Sequence, residues 1–170
     1  MSVKKARKTL VVAEAAPAFD LQGADGKSYS LTAALERGPL LVAFFKASCP
    51  TCQYAFPFLE RLHRQFQSRG AAVWGVSQDS ARDSLAFARE FGVTFPLLID
   101  DHPYEVSDRY GVQFTPTLFL VGRDGKIEVV GDGFSKADLL EIQKRLAGEL
   151  SVTPEPLFLP AEQVPEFKPG

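Results

Sequence analysis

With 170 residues, 45% of them hydrophobic and 24% charged, the chain has the size and composition of one soluble domain with its own core. A net charge of −2 leaves no electrostatic footprint for nucleic acid or an anionic membrane, and no run approaches the roughly 18 apolar residues of a spanning helix. The basic start, Lys4-Lys5-Ala6-Arg7-Lys8, is followed only by Leu10-Val11-Val12-Ala13 before Glu14, shorter than the roughly 7–15 apolar residues of a signal peptide. A cytoplasmic protein is expected.

In chain order, residues 1–14 read as a flexible basic N-terminus, 15–150 as the domain and 151–170 as an extended proline-rich tail. Two short extended pieces flank a turn at Asp25-Gly26, and Thr32 to Gly38 reads as a short capped helix. Leu40 to Phe45 is apolar throughout, as expected of a strand buried on both faces. A helix follows from about Thr51 to Ser68, with Phe56, Leu59, Leu62 and Phe66 on one stripe and Pro57 inside as a kink. Ala71 to Ser77 reads as a strand. Asp79-Ser80 caps a helix to Phe91, closed by Gly92. A short strand over Phe95–Asp100 and a short helix over Glu105–Tyr110 come next. Thr117–Val121 and Lys126–Val130 then form a hairpin around Gly122-Arg123-Asp124-Gly125. Ser135 caps a last helix to about Leu150. Pro154, Pro156, Pro160, Pro165 and Pro169 keep the tail out of helix and central strand. It is expected to lie extended over the body or hang free, with Leu157, Phe158, Leu159 and Phe167 covering part of the body or meeting a second subunit. Alternating strands and helices followed by a hairpin and a helix describe an α/β sheet with helices on both faces.

The two cysteines of the chain, Cys49 and Cys52, fall where the buried strand gives way to the long helix. Positions three apart in a first helical turn lie close together, which suits a reversible disulfide. It also suits one edge of a zinc site, but four ligands are usual and only His63 and His102 remain. His63 stands eleven residues beyond Cys52 on the same helix, roughly 16 Å along its axis, so no metal is expected. An inert disulfide fits poorly with a reducing compartment. Free amide groups and the positive end of the dipole stabilise a thiolate at a helix N-terminus. Cys49, outside the first turn, is therefore the expected nucleophile, and Cys52, one turn in, the expected resolving thiol. Pro50, Thr51 and Lys46 are expected to tune the pair. The chemistry is thiol–disulfide exchange through a redox-active Cys49–Cys52 disulfide, with no other cofactor.

At these residues the chain resembles the thioredoxin-fold superfamily, over about Ala15 to Leu150. The resemblance rests on the strand running into Cys49-Pro50-Thr51-Cys52, on Pro57 five residues later, and on Tyr110-Gly111-Val112-Gln113-Phe114-Thr115-Pro116-Thr117. It implies that Pro116 is cis and faces the cysteines, and that the Thr115 backbone binds an extended substrate peptide. An N-terminal β extension, an extra strand–helix portion between Val76 and Tyr110, and the segments Ala-Pro-Ala-Phe-Asp-Leu and Gly-Val-Ser-Gln-Asp resemble the redoxin branch. That branch contains TlpA- and ResA-like thiol–disulfide reductases and the AhpC/TSA peroxiredoxins. The fold implied is a central mixed sheet with helices on both faces.

The peroxiredoxin pattern Pro-x-x-x-Thr/Ser-x-x-Cys has Val42 and Lys46 in its places here, and Thr115 stands at its arginine position. Ala43 replaces the buried acid of thioredoxin, and Ser48 replaces its tryptophan; Glu60 is too far along the helix to substitute. The expected function is a disulfide oxidoreductase acting on protein disulfides and recycled by a reductant or oxidant the sequence does not identify. A thiol-dependent peroxidase and a non-catalytic binding module are the alternatives.

Overall fold

The computed structural model describes residues 8–170. Asp20–Gln22 (β1) and Ser28–Ser30 (β2) form a small antiparallel pair. Ser30 caps α1 (Leu31–Arg37) by accepting from the Ala33 N–H. β3 (Leu40–Phe45) runs into α2 (Pro50–Phe66), which ends in a 3-10 turn at Gln67–Arg69. β4 (Ala72–Ser77) leads through the Ser80 cap to α3 (Ala81–Phe91), stopped by Gly92 in the left-handed region. β5 (Leu97–Ile99), α4 (Glu105–Arg109), β6 (Thr117–Val121), β7 (Ile127–Asp132), the short β8 (Phe134–Ser135) and α5 (Lys136–Leu150) follow. The last strand is β9 (Phe167–Lys168).

The central sheet has the order β5-β4-β3-β6-β7. β3 pairs parallel with β4 and antiparallel with β6; β5 joins β4 in parallel and β7 joins β6 antiparallel. All six β3 residues are buried, and they divide by pleat. Leu41, Ala43 and Phe45 pack with α2, α3 and α5 on one face. Leu40, Val42 and Phe44 pack with Leu31 and Leu35 of α1, Val106 of α4, Phe19, Trp74 and Tyr110 on the other. This is the mixed sheet between helices that the sequence implied. β3, its central strand, therefore aims its C-terminal end at a fixed point, where the cysteines lie.

Several boundaries differ from the sequence reading for physical reasons. The strand expected over Phe95–Asp100 shortens to Leu97–Ile99, because Pro96 has no N–H and Asp100 turns away to cap α4. Asp100 accepts from the Val106 and Ser107 amides at 3.3 and 2.8 Å and from the Ser107 hydroxyl at 2.7 Å. Of the N-terminal segment read as flexible, residues 1–7 lie outside the described residues. The rest is tied down: Thr9 Oγ1 donates to the Gly111 carbonyl at 2.7 Å, Leu10 N to Tyr110 O at 3.2 Å, and Ala13 N to Ile127 O at 2.8 Å.

The proline-rich tail lies on the body. Leu157 is 2% exposed within the core, and Phe158 packs against Phe58 and Phe134. Arg61 of α2 donates to Leu157 O at 2.8 Å and grips Glu162 with two hydrogen bonds of 2.7 and 2.6 Å. β9 pairs antiparallel with β8, an edge pairing that Pro165 and Pro169 tolerate on either side. Leu159 and Phe167 are exposed, so neither covers the body as expected. Among the described residues no helix is long and apolar enough to cross a membrane.

Candidate active site

β3 ends at Phe45, and the turn after it is held from outside by Asp79. The Asp79 carboxylate accepts from the Ala47 amide at 2.8 Å, while the Ser77 hydroxyl accepts from the Asp79 amide at 2.9 Å. Gln53 Nε2 donates to Ala47 O at 2.9 Å, and the Cys49 amide donates to Lys46 O at 3.1 Å. The turn is thus fixed on both sides of the first cysteine.

Cys49 is the N-cap of α2, with extended backbone (φ −79°, ψ 114°), and Pro50 takes the first helical position, where a missing N–H costs little. The Cys49 sulfur accepts from the Cys52 amide at 3.2 Å and donates to the Thr115 carbonyl at 3.3 Å. Both cysteines are thiols in this structure. Cys49 is half-buried, whereas Cys52 is 0% exposed beneath it. Burial pushes the Cys52 thiol far above the usual range, and the neighbouring Cys49 sulfur adds to the rise; the Lys46 backbone and the Thr115 side chain act the other way without reversing it.

Thr115-Pro116 is a cis peptide, as the resemblance implied, and Pro116 is buried. Pro116 O accepts from the Gly133 amide at 2.9 Å, and the Thr117 hydroxyl donates to Phe114 O at 2.6 Å. The fold therefore brings Cys49, Cys52, Thr115 and Pro116 together across a sequence gap of more than sixty residues. Pro50 is exposed at the helix start. The Thr51 hydroxyl donates to Pro169 O at 2.6 Å, a partner the sequence reading did not anticipate. The Lys46 side chain is exposed, and its backbone is what meets the pair.

Two parts of the site were missed from the sequence. Asp79 reads from the sequence as part of the cap of the following helix and as a branch marker; in the structure Ser80 is that cap and the Asp79 carboxylate instead braces the turn before Cys49. Pro169 and Gly170 carried no local signal. Glu60 is buried yet occupied elsewhere, accepting from Thr94 N and Oγ1 at 2.7 Å each and from Arg64 Nε at 2.9 Å. His63 has its Nδ1 buried without a hydrogen-bond partner, and burial lowers its pKa below the usual imidazole value. Among the described residues no group of three or more His, Cys, Asp and Glu side chains is arranged to hold a metal.

The AhpC/TSA family model matches residues 12–130. The thiol–disulfide oxidoreductase ResA of Geobacillus thermodenitrificans is 30% identical over 135 residues, covering 78% of this chain and 76% of that protein. ResA of Bacillus subtilis is 30% identical over 119 residues, covering 69% and 65%. Among solved structures, a Chlorobium tepidum protein described as thiol:disulfide interchange protein DsbE superposes with a TM-score of 0.74 at 25% identity, covering 84% of this chain and 99% of its own. Strand, thiol pair and cis-proline loop agree with these likenesses, and the chain belongs to the AhpC/TSA family and, within it, to the ResA-like thiol–disulfide oxidoreductases.

Proposed function

We propose that this thiol–disulfide oxidoreductase acts on disulfides of protein substrates, with Cys49 as the attacking sulfur and Cys52 as the resolving one. The observation that carries the reading is the Cys49 sulfur itself. It is half-exposed at a helix N-terminus, held between the Cys52 N–H and the Thr115 carbonyl, with its partner thiol buried one turn in. The Cys52 amide hydrogen bond holds this sulfur in place at the first turn of α2.

The Cys49 thiolate attacks one sulfur of the substrate disulfide, forming a Cys49–substrate bond and expelling the other substrate sulfur, which takes up a proton. Cys52 then gives up its proton and attacks the Cys49 sulfur. A Cys49–Cys52 disulfide forms and the second substrate sulfur leaves as a thiol. Two electrons and two protons have passed to the substrate, and an external dithiol restores the pair by the reverse exchange. Thr115 presents backbone beside the sulfur, where an extended substrate strand can pair with it. Peroxide reduction at the same sulfur is disfavoured by Lys46 and Thr115, which stand where the peroxide-activating threonine and arginine would be.

Insulin-disulfide reduction under dithiothreitol tests the assignment. Cys49→Ser is expected to fall to the uncatalysed background, and Cys52→Ser to accumulate a mixed disulfide on Cys49 visible by mass. Wild-type turnover by Cys49→Ser would sink it.

A further inference from the structure

The end of the tail lies on the active site. Pro169 O accepts the Thr51 hydroxyl at 2.6 Å, in the helix turn that joins the two cysteines. Gly170 sits against the Thr115 carbonyl, the same group that accepts the Cys49 thiol at 3.3 Å; a Cβ on Gly170 would stand 2.5 Å from that oxygen. Gly133, at φ +71°, is where β7 bends toward β8, and a Cβ there would stand 2.5 Å from Lys168 O and 3.1 Å from Gly170 N. Gly170 also forms one wall of a hollow of about 310 Å³ shared with Lys46, Gln78, Phe114 and Thr115. The last residues thus run as an extended strand between the start of α2 and the cis-proline loop, the strip a substrate chain needs in order to bring its disulfide to Cys49.

The strap is held unequally along its length. Upstream, Leu157 is buried and Arg61 grips Glu162. At the tip the bonds are few: a two-residue ladder to β8, the Lys136 amide donating to Glu166 O, the Thr51 hydroxyl, and Lys168 Nζ 4.6 Å from the centre of the Tyr54 ring. The Lys136–Glu166 ion pair, at 3.9 Å and largely exposed, adds little. The Phe167 side chain is 57% exposed, so it adds little apolar burial to the hold its backbone makes in the ladder. A segment held firmly over Leu157–Glu162 and weakly over Glu166–Gly170 opens locally beside the site without unfolding the domain.

We propose that Glu166–Gly170 is an intramolecular strap that fills the substrate strip beside Cys49 and must lift before a protein disulfide, but not a small one, can reach the sulfur. This rests on the assignment of Cys49 as the attacking sulfur. The strap sets a competition: a substrate strand binds only the fraction of molecules in which the tip has lifted, so apparent affinity for large substrates falls by that fraction. Phe114, 56% exposed beside Thr115, is the apolar contact an incoming strand would gain in exchange.

The test compares the full chain with a chain ending at Pro165, both in a Cys52→Ser background so that Cys49 is the one thiol. Alkylation is followed with iodoacetamide and with a polyethylene-glycol maleimide. Because both reagents meet the same sulfur, changes in intrinsic reactivity affect both rates, and their ratio reports access. The maleimide rate is expected to rise about tenfold in the shortened chain while the iodoacetamide rate stays within about twofold. An unchanged ratio overturns the proposal. With both cysteines present, insulin reduction is expected to quicken by a similar factor and reduction of 5,5′-dithiobis(2-nitrobenzoate) to stay level; slower insulin reduction overturns gating. A shifted alkylation ratio without insulin reduction in either chain would leave the strap standing and remove the protein-disulfide reading instead. Should the shortened chain not fold, Gly170→Val keeps the full length while crowding the Thr115 oxygen. It is expected to raise the ratio about threefold, and an unchanged ratio there overturns the proposal equally.

Discussion

Cys52 must lose a proton before it can resolve a mixed disulfide, and among the described residues no carboxylate is hydrogen-bonded to it to take one. Ala43, 0% exposed at the middle of β3, occupies the place where a thioredoxin would put an acid, and Glu60 is engaged by Thr94 and Arg64. Burial holds the Cys52 thiol above its ordinary range, so at neutral pH only a small fraction is thiolate, and that fraction grows tenfold per pH unit. With a mixed disulfide preformed on Cys49, the resolution rate is therefore expected to climb about tenfold per unit from roughly pH 7 to pH 9, without levelling off near the free thiol value of about 8.5. Stopped-flow release of a chromophoric thiol measures this, and a plateau by pH 8 would reveal a base near Cys52. At this scale the chemistry-bearing residues were legible, because a two-cysteine spacing at a strand–helix junction and a Thr-Pro pair are local signals. Asp79 was not: its bond to the Ala47 amide joins residues 32 apart, and nothing in Ser-Gln-Asp announces a turn brace.

Among the elements, α2 carries both the site at its first turn and the packing that fixes its direction. Its apolar stripe, Phe56, Leu59, Leu62 and Phe66, is fully buried, which is why spacing alone gave its position. Glu60 lies on the same helix and is 4% exposed, which composition rules would not have suggested. It ties α2 to the chain entering β5 through the Thr94 amide and hydroxyl. Burial opposes its charge, but the Thr94 and Arg64 hydrogen bonds outweigh burial and hold its carboxyl below the usual range. A carboxyl with a depressed folded pKa stabilises the fold above its unfolded pKa, near 4.3, and the contribution is lost as pH falls through the folded value. Glu60→Gln is thus expected to lower stability at pH 7 by about 1–2 kcal/mol, with the gap from wild type closing as pH drops below about 4. Urea titrations at pH 7 and pH 3 test this, and an equal gap at both would assign the loss to packing. The strand ends were less legible than the helices. β5 is cut short by the capping task of Asp100, and β8–β9 pairs residues too short and too far apart in sequence to leave a pattern.

At the scale of the whole molecule, the order of elements and the two-sided sheet followed from alternating periodicities, whereas the path of the last twenty residues did not. Proline restricts those residues to extended backbone but says nothing about the surface they follow. That surface is set by contacts such as Arg61 with Glu162 and Thr51 with Pro169, separated by 101 and 118 positions. The consequence is that the tail, read from sequence as a separate stretch, shares the core of the domain. Leu157 belongs to the same cluster as Phe58, Phe134, Leu139 and Ile142. Truncating a fully buried leucine removes its transfer energy and leaves a cavity, together worth about 2–5 kcal/mol. Leu157→Ala is expected to destabilise the chain at the lower half of that range, about 2–3 kcal/mol, because the tail can partly collapse into the space. Leu159→Ala, at a side chain 51% exposed only two positions on, is expected to change stability by less than about 0.5 kcal/mol. Both values come from urea denaturation followed by fluorescence of Trp74, which lies on the opposite face of the sheet from Leu157. A single transition shifted by Leu157→Ala at that distant probe makes tail and sheet one cooperative unit; no shift at Trp74 would make the tail an independently melting strap from its root onward.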